Sequence, residues 1–296
     1  MSIVAAALAV VLLAGLAALV GSSSSRASTK ATKPILATLV SDIGKFNDRS
    51  FNQSQKEGLD RAHKNLKVRI KALQSNSTSD YIPNLTTGVR AKSNLIISAG
   101  FLLADATNTV AKKYPKIRFA ITDYDVKTAP FNGRRNVMGL TYAANESGCL
   151  VGVLAALMAK KAGKKAIGAV GGLKIPPVDI WIAGYKFCAK KAYPGVNVLV
   201  DYSQDFVAAD KCKTVAENEI SQGAYVLFQV AGGCGLGTLK AAAEHNLWAS
   251  GSTRTSTRTP SGSSRPGSSA STTASTRPSR SCRTASSWVA ATCCST

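Results

Sequence analysis

From about residue 35 to residue 248, short apolar runs alternate with longer stretches of helical spacing. The first run, Ile35–Val40, ends at Ser41-Asp42, and the next stretch, Phe51–Leu66, has helical spacing. Helices of this length between strands carry the chain back across a sheet, so successive strands lie parallel and are covered on both faces. The sequence therefore predicts an α/β fold.

The alternation falls into two successions that meet near residue 142, which predicts two Rossmann-like lobes, 34–142 and 143–248. In open parallel sheets, ligands bind beyond the carboxyl ends of the strands. At those ends this chain places acids, glycines and one aromatic residue: Asp42, Gly100, Phe101, Asp123, Gly171, Gly172, Gly232 and Gly233. Ordinary turn chemistry explains any one of them, but together they favour a ligand cleft.

The first 21 residues are apolar and rich in alanine, and a Ser/Thr-rich stretch follows at 22–33. A stretch of this kind predicts a signal peptide followed by a linker; a permanent membrane span is the alternative. Leu19-Val20-Gly21 resembles the start of a bacterial lipobox, but Ser22 stands where the lipidated cysteine belongs. We therefore expect export without lipidation at Ser22.

Composition changes abruptly after Trp248. Residues 249–296 are rich in Ser, Thr, Arg and Pro and contain no acid and no apolar periodicity. If one base is lost after the Trp248 codon, a GC-rich back-translation recovers an apolar strand and then a charged helix. The prediction is an out-of-frame, disordered tail over 249–296, with a genuine low-complexity linker as the alternative.

The formal net charge is +21, and six of the positive charges are tail arginines. The lysines of the remaining chain are dispersed, without a basic helix, zinc-finger spacing or stacking motif, so nucleic-acid binding is not expected. An exported basic protein beside an anionic membrane surface is the simpler interpretation.

Catalytic and metal chemistry have little support in the sequence. His63 and His245 are the only histidines, and no nucleophile, phosphate-loop or metal-ligand pattern accompanies them. We therefore expect no enzyme, no metal and no cofactor. Outside the cytoplasm disulfides are allowed, and the sequence suggests a Cys188–Cys212 pair, with buried free thiols as the alternative.

Several motifs resemble one known family. Asp42–Gln53 is similar to the pattern Asp-x-Gly-Gly-x-x-Asp-x-Ser-Phe-Asn that opens the basic-membrane-protein family, although Lys45 replaces its second glycine. The resemblance continues, in order, through the segments Ser98–Phe101, Lys116–Asp123, Glu146–Ala156 and Gln229–Gly237. Members of this family are lipoproteins that bind nucleosides for ABC transporters.

The resemblance implies a type I periplasmic-binding-protein fold, truncated here at the end of the second lobe. It further implies a purine nucleoside as ligand, ABC permease subunits as partners and a place at the outer face of the bacterial cell membrane. A sugar-binding protein or a receptor sensor domain of the same fold is one alternative. A non-functional frameshifted product is another.

A purine nucleoside needs flat apolar surfaces for its base and polar groups for its edge and ribose. We expect Phe51 and Phe228 to stack on the base from opposite lobes, although both suit a core as well. The expected polar contacts come from Asp42, Asn52 and Asp123, with Asp48 capping the first helix and Gly232 and Gly233 forming a ligand-facing turn. The family's ribose-binding acid is replaced by Thr253.

Overall fold

The computed structural model describes residues 34–253, which form two parallel β-sheets with helices on both faces. The first sheet has the strand order β2-β1-β3-β4-β5. Its strands are β1 (Leu36–Ser41), β2 (Arg69–Leu73), β3 (Leu95–Ala99), β4 (Arg118–Thr122) and β5 (Val137–Leu140). Its helices are α1 (Phe51–Leu66), α2 (Tyr81–Arg90) and α3 (Ala104–Lys113).

The second sheet has the order β7-β6-β8-β9, and every strand pair in both sheets is parallel. Its strands are β6 (Ala166–Gly171), β7 (Asn197–Tyr202), β8 (Ala224–Val230) and β9 (Trp248–Gly251). Its helices are α4 (Ala144–Lys161), α5 (Pro176–Ala192), α6 (Ala209–Ser221) and α7 (Gly235–Glu244). The prediction of an α/β fold with two parallel-sheet lobes is confirmed.

Lobe 2 extends beyond the residue at which the sequence suggested it would end. Ala249, Ser250 and Gly251 continue β9 and pair with β8, so the predicted start of the tail at 249 is wrong for these positions. Small residues can form this edge strand because its pairing with β8 uses backbone N–H and C=O groups and not side chains. Ser252 and Thr253 are also ordered, and the N–H of Ser252 donates to the Gln229 carbonyl at 3.1 Å. Residues 254–296 of the predicted tail lie outside the described residues, as do the predicted signal peptide, the linker and Ser22.

Each sheet is covered by helices on two faces. In lobe 1, α2 and α3 pack against one face around Val40, Ile96 and Phe119, and α1 covers the other around Leu39 and Leu59. In lobe 2, α4 and α5 cover one face and α6 and α7 the other. Continuous burial along β1, β6 and β8 explains why these strands are apolar without alternation.

Two disulfides replace the single one predicted from the sequence. Cys149 bonds to Cys188 and joins α4 to α5, and Cys212 bonds to Cys234 and joins α6 to the turn before α7. The predicted Cys188–Cys212 pair is wrong because α5 and α6 lie on opposite faces of the sheet. Each disulfide instead links two neighbouring helical segments on the same face.

Helices α4 and α5 cross closely because glycines line their contact. A Cβ atom added to Gly148, Gly152 or Gly184 would lie 2.1, 2.2 or 2.0 Å from a carbonyl oxygen of the facing helix. The family-like segment Glu146–Ala156 therefore has a packing role, because its glycines Gly148 and Gly152 form the α4 side of this contact.

Candidate ligand-binding site

A cleft opens where the carboxyl ends of the strands of both sheets meet. The empty space within it is about 650 Å³, a figure that includes open solvent at the mouth. From lobe 1 it is lined by Asp42, Gly44, Asp48, Ser50, Phe51, Asn52, Gly100, Phe101, Leu102 and Asp123. From lobe 2 it is lined by Ile175, Pro177, Val178, Trp181, Phe206, Val230, Gly232, Ser252 and Thr253.

On the lobe 1 side of the cleft, the side-chain amide of Asn52 lies between the buried carboxylates of Asp42 and Asp48. Asn52 Nδ2 donates to Asp42 Oδ1 at 2.7 Å and lies 3.4 Å from Asp48 Oδ2. Because both neighbours are acceptors, the amide nitrogen must face them and the amide oxygen must point away. Asn52 Oδ1 is buried and has no hydrogen-bond partner among the described residues.

Asp48 fixes the start of α1, as the sequence predicted. Its carboxylate accepts hydrogen bonds from the backbone N–H groups of Ser50, Asn52 and Gln53 at 2.9–3.0 Å. These N–H groups have no partner within the helix, and the positive end of the helix dipole favours the negative charge. The cap thereby sets the positions of Phe51 and Asn52 in the cleft.

Asp42 follows β1 and Asp123 follows β4, so both carboxyl groups lie at the same edge of the lobe 1 sheet. Burial raises the pKa of Asp42 to about 6. Hydrogen bonds from Gly44 and Asn52 lower this pKa, and the nearby charge of Asp48 raises it. Burial also raises the pKa of Asp123 to about 6, with a further contribution from Asp42. Both groups therefore change charge near neutral pH.

Lobe 1 makes room for an aromatic face at Phe51. Gly100 has a φ of +104°, and a Cβ atom there would lie 2.9 Å from Phe51 Cε1. Glycine is thus needed both for the backbone conformation and for the approach of the ring. Phe101, the next residue, stacks on Tyr124 with ring centroids 4.9 Å apart.

The motif that opens lobe 1 departs from its family pattern at Lys45, and the backbone shows why glycine is usual there. Lys45 has a φ of +63°, in the left-handed region. A residue with a Cβ atom pays about 1–2 kcal/mol in this region relative to the right-handed one. The substitution therefore leaves the loop geometry intact at a modest cost in stability.

On the lobe 2 side the aromatic residue that reaches the cleft is Phe206, not Phe228. Phe228 is fully buried and stacks on Tyr185 at 5.0 Å between ring centroids, so the expectation that it stacks on a ligand is wrong. Phe206 lies in the loop after β7; its ring packs over Gly172, and its carbonyl accepts the N–H of Cys234 at 3.0 Å. Trp181 adds a second aromatic wall at the start of α5.

The structure brings most of the predicted site residues together. Asp42, Phe51, Asn52, Asp123 and Gly232 line the cleft. Gly233 lies beside it, where an added Cβ atom would be 3.7 Å from Asp48 Cα of the other lobe. Phe101, one of the strand-end residues, lines the cleft as well. Sequence reasoning missed the aromatic residues Trp181 and Phe206. Phe206 follows the carboxyl end of β7, so the strand-end rule that identified Asp42 also applies to it.

Two contacts cross from one lobe to the other beside the cleft. Ser50 Oγ and Thr253 Oγ1 are 2.5 Å apart, and the glycine turn at Gly232-Gly233 approaches Asp48. The chain segment 141–143 joins β5 to α4 and so connects the lobes. Within residues 34–253, no cluster of acids, histidines or cysteines is arranged to hold a metal ion, and no helix is long and apolar enough to cross a membrane.

Two parallel-sheet lobes with a cleft at their strand ends are an arrangement in which small molecules bind between lobes. A family profile described as "ABC transporter substrate-binding protein PnrA-like" (Bmp) matches residues 35–256. The chain belongs to this family, whose members bind solutes and are not enzymes. This agrees with the resemblance found in the sequence motifs.

Curated relatives support the same assignment. The chain is 37% identical over 213 residues to the CD4+ T-cell-stimulating antigen of Listeria monocytogenes, covering 70% of this chain and 57% of the relative. It is 37% identical over 243 residues to the ABC transporter nucleoside-binding protein BmpA of Lactococcus lactis, covering 80% and 67%. The chain thus spans little more than half the length of the Listeria relative.

Solved structures show the same fold. A solute-binding protein of an ABC transporter system from Aeropyrum pernix K1 is 28% identical with a TM-score of 0.66, over 74% of this chain and 61% of that one. The arabinose-binding protein AraP of Geobacillus stearothermophilus is 15% identical with a TM-score of 0.55, over 74% of both chains. At that identity the second likeness concerns fold alone.

Proposed function

We propose that this chain is the extracytoplasmic solute-binding component of an ABC importer and that it binds a purine nucleoside in the cleft. The observation that carries the proposal is the pairing of aromatic and polar groups across the two lobes. Phe51 and Phe206 line the cleft from opposite lobes, and Asp42, Asn52 and Asp123 line its lobe 1 side. The name of the Lactococcus relative, a nucleoside-binding protein, supports it.

The chemistry of the cleft suits the two parts of a nucleoside. Aromatic faces stack on a flat base regardless of its substituents, and the buried carboxyl groups accept hydrogen bonds from N–H or O–H donors of the ligand. Asn52 Oδ1 supplies one more unpartnered acceptor. Closure of the lobes around segment 141–143 would desolvate these groups, and ABC permease subunits would receive the loaded form.

A sugar ligand is the second candidate, because AraP is a structural neighbour and carboxylates bind sugar hydroxyls equally well. A sugar-binding cleft would use the acids in the same way. It could also use aromatic walls from both lobes, because the C–H faces of a pyranose pack on aromatic rings. The name of the Lactococcus relative, a nucleoside-binding protein, therefore favours the nucleoside. A receptor sensor domain of this fold would bind through the same cleft.

Tryptophan emission tests both the ligand class and its location. Trp181 lines the cleft, whereas Trp248 begins β9 and is not among the lining residues. Inosine should quench the emission of the full chain in a saturable way, and Trp181→Phe should remove most of that change while Trp248→Phe should not. Saturable quenching that survives Trp181→Phe would place the ligand elsewhere.

Nucleoside affinity should rise between pH 5 and pH 7.5, because the ionised forms of Asp42 and Asp123 are the better acceptors and both pKa values lie near 6. If the ligand binds only the ionised form of an acid, its affinity falls by up to about tenfold for each pH unit below the pKa of that acid. Because two acids are involved, we expect the affinity at pH 5 to be lower by at least about tenfold. The same titration of Trp181 emission measures it.

Stability should follow the opposite trend for these two groups. A carboxyl whose pKa is raised in the folded state is less stable there when ionised, so its contribution to the free energy of unfolding decreases as pH rises from about 4 to about 6. Weaker binding at pH 5 would therefore not result from their effect on folding. An affinity that is independent of pH across this range would show that neither acid contacts the ligand.

A further inference from the structure

Helix α4 carries an apolar stripe that faces away from the protein. Leu150, Leu154 and Leu157 are 72%, 60% and 47% exposed, and they recur at the four- and three-residue intervals that place side chains on one face. The opposite face, with Gly148, Gly152, Ala155 and Ala159, is buried. A helix that is apolar on both faces is ordinarily covered on both, so the leucine stripe is a contact surface.

Helix α5 extends this surface. Ile180 and Phe187 are 40% and 60% exposed on its outer side. The glycine contacts hold the two helices backbone to backbone, and the Cys149–Cys188 disulfide joins the residues that precede Leu150 and follow Phe187. The stripe of α4 and the outer residues of α5 therefore form one rigid face, here called the α4–α5 face.

The charges around the α4–α5 face are almost all positive. Seven exposed lysines lie on these helices and the turn between α4 and β6: Lys160, Lys161, Lys164, Lys165, Lys186, Lys190 and Lys191. The acids of α4 and α5 are Glu146 and Asp179, and Asp179 accepts a hydrogen bond from Tyr202. Lys191 Nζ lies 4.6 Å from the centroid of the Phe187 ring, so positive charge lies directly beside the apolar residues.

We propose that the α4–α5 face docks on an anionic membrane surface. Exposed leucines flanked by lysines are the pattern by which a helix lies in the interface, with apolar side chains among the acyl chains and lysines reaching the phosphates. A second copy of the chain would bring the same lysines together and be repelled. This contact is separate from the ligand cleft and does not depend on what the cleft binds.

A tryptophan placed in the stripe reports directly on insertion. The probe is the full chain with Leu154→Trp, mixed with phosphatidylglycerol vesicles whose acyl chains are brominated. The control is Leu66→Trp, because Leu66 is 72% exposed on α1 of the other lobe. Bromine should quench tryptophan emission more in Leu154→Trp than in the unaltered chain, and no such increase is expected in Leu66→Trp. Because the control carries the same apolar N-terminal residues, their membrane binding contributes equally to both.

Charge variants test the lysines. Lys160, Lys161, Lys190 and Lys191 are all changed to Gln, with Lys64, Lys112, Lys113 and Lys116 changed to Gln as a control of equal charge on lobe 1. Each lysine near an anionic surface contributes about fivefold to binding at moderate salt. Quenching at position 154 should then need at least about tenfold more lipid in the first variant and should change little in the control.

Four outcomes would overturn the proposal. Equal quenching at positions 154 and 66 would mean that the α4–α5 face does not insert. Quenching that is the same in phosphatidylcholine vesicles would remove the role of the lysines. Absence of quenching together with concentration-dependent dimerisation that Leu154→Ser abolishes would assign the face to a second copy, and capture by an acidic permease domain without lipid would assign it to a protein partner.

Discussion

Replacing both Phe51 and Phe206 by alanine is expected to weaken nucleoside binding by roughly 2–6 kcal/mol, since each base–aromatic stack contributes about 1–3 kcal/mol. The two rings line the cleft from opposite lobes, so each single variant should lose part of the affinity and the double variant most of it. Calorimetry with inosine measures the loss. Phe206→Tyr, which keeps an aromatic face, should retain most of the binding.

A matched control separates stacking from general damage. Phe187 is 60% exposed on α5 and is not among the residues that line the cleft, so Phe187→Ala should leave inosine affinity unchanged. Circular dichroism melts of all variants would show that they remain folded. If Phe206→Ala bound inosine as tightly as the unaltered chain, the aromatic assignment on lobe 2 would fail as it did for Phe228.

The second large effect concerns stability. Gly152→Ala is expected to lower the free energy of unfolding by about 2–3 kcal/mol, because the new Cβ atom would lie 2.2 Å from the carbonyl oxygen of Tyr185 and the two helices would have to separate. Backbone atoms cannot rotate away as a flexible side chain can. Chemical denaturation followed by circular dichroism measures the change.

Gly58 gives the control for this substitution. It lies within α1, where an added Cβ atom meets nothing closer than Arg61 Nη2 at 3.7 Å. Alanine is the better helix former by up to about 1 kcal/mol, so Gly58→Ala should raise stability by about 0.5–1 kcal/mol. Equal effects of the two substitutions would contradict the glycine-mediated crossing of α4 and α5.

The strand and helix pattern and the cleft acids could be predicted because they depend on local sequence. Periodicity identifies β1 or α1 without knowledge of their neighbours, and the strand-end rule placed Asp42 and Asp123 at one sheet edge before the structure did. Asp48 was assigned to the helix cap for the same reason: its position just before α1 is a property of the sequence alone.

The errors all concern relations between elements. The spacing of residues in the sequence does not show which helices share a face of the lobe 2 sheet. The predicted Cys188–Cys212 disulfide was wrong for that reason. The expectation for Phe228 was wrong because every residue of β8 is buried or half-buried, so the apolar sequence of this strand gives no sign of which residue faces a ligand. Phe206 lies in an irregular loop without periodicity, and only the packing of that loop against Gly172 brings it to the cleft.

The most direct test of the central claim is a calorimetric titration of the full chain at pH 7.5 with inosine, adenosine and ribose in parallel. The account predicts saturable binding of at least one purine nucleoside, with ribose alone at least a hundredfold weaker because it lacks the base that stacks between the lobes. Ribose binding without nucleoside binding would assign the cleft to sugars, and the absence of heat with all three would contradict the proposed ligand class.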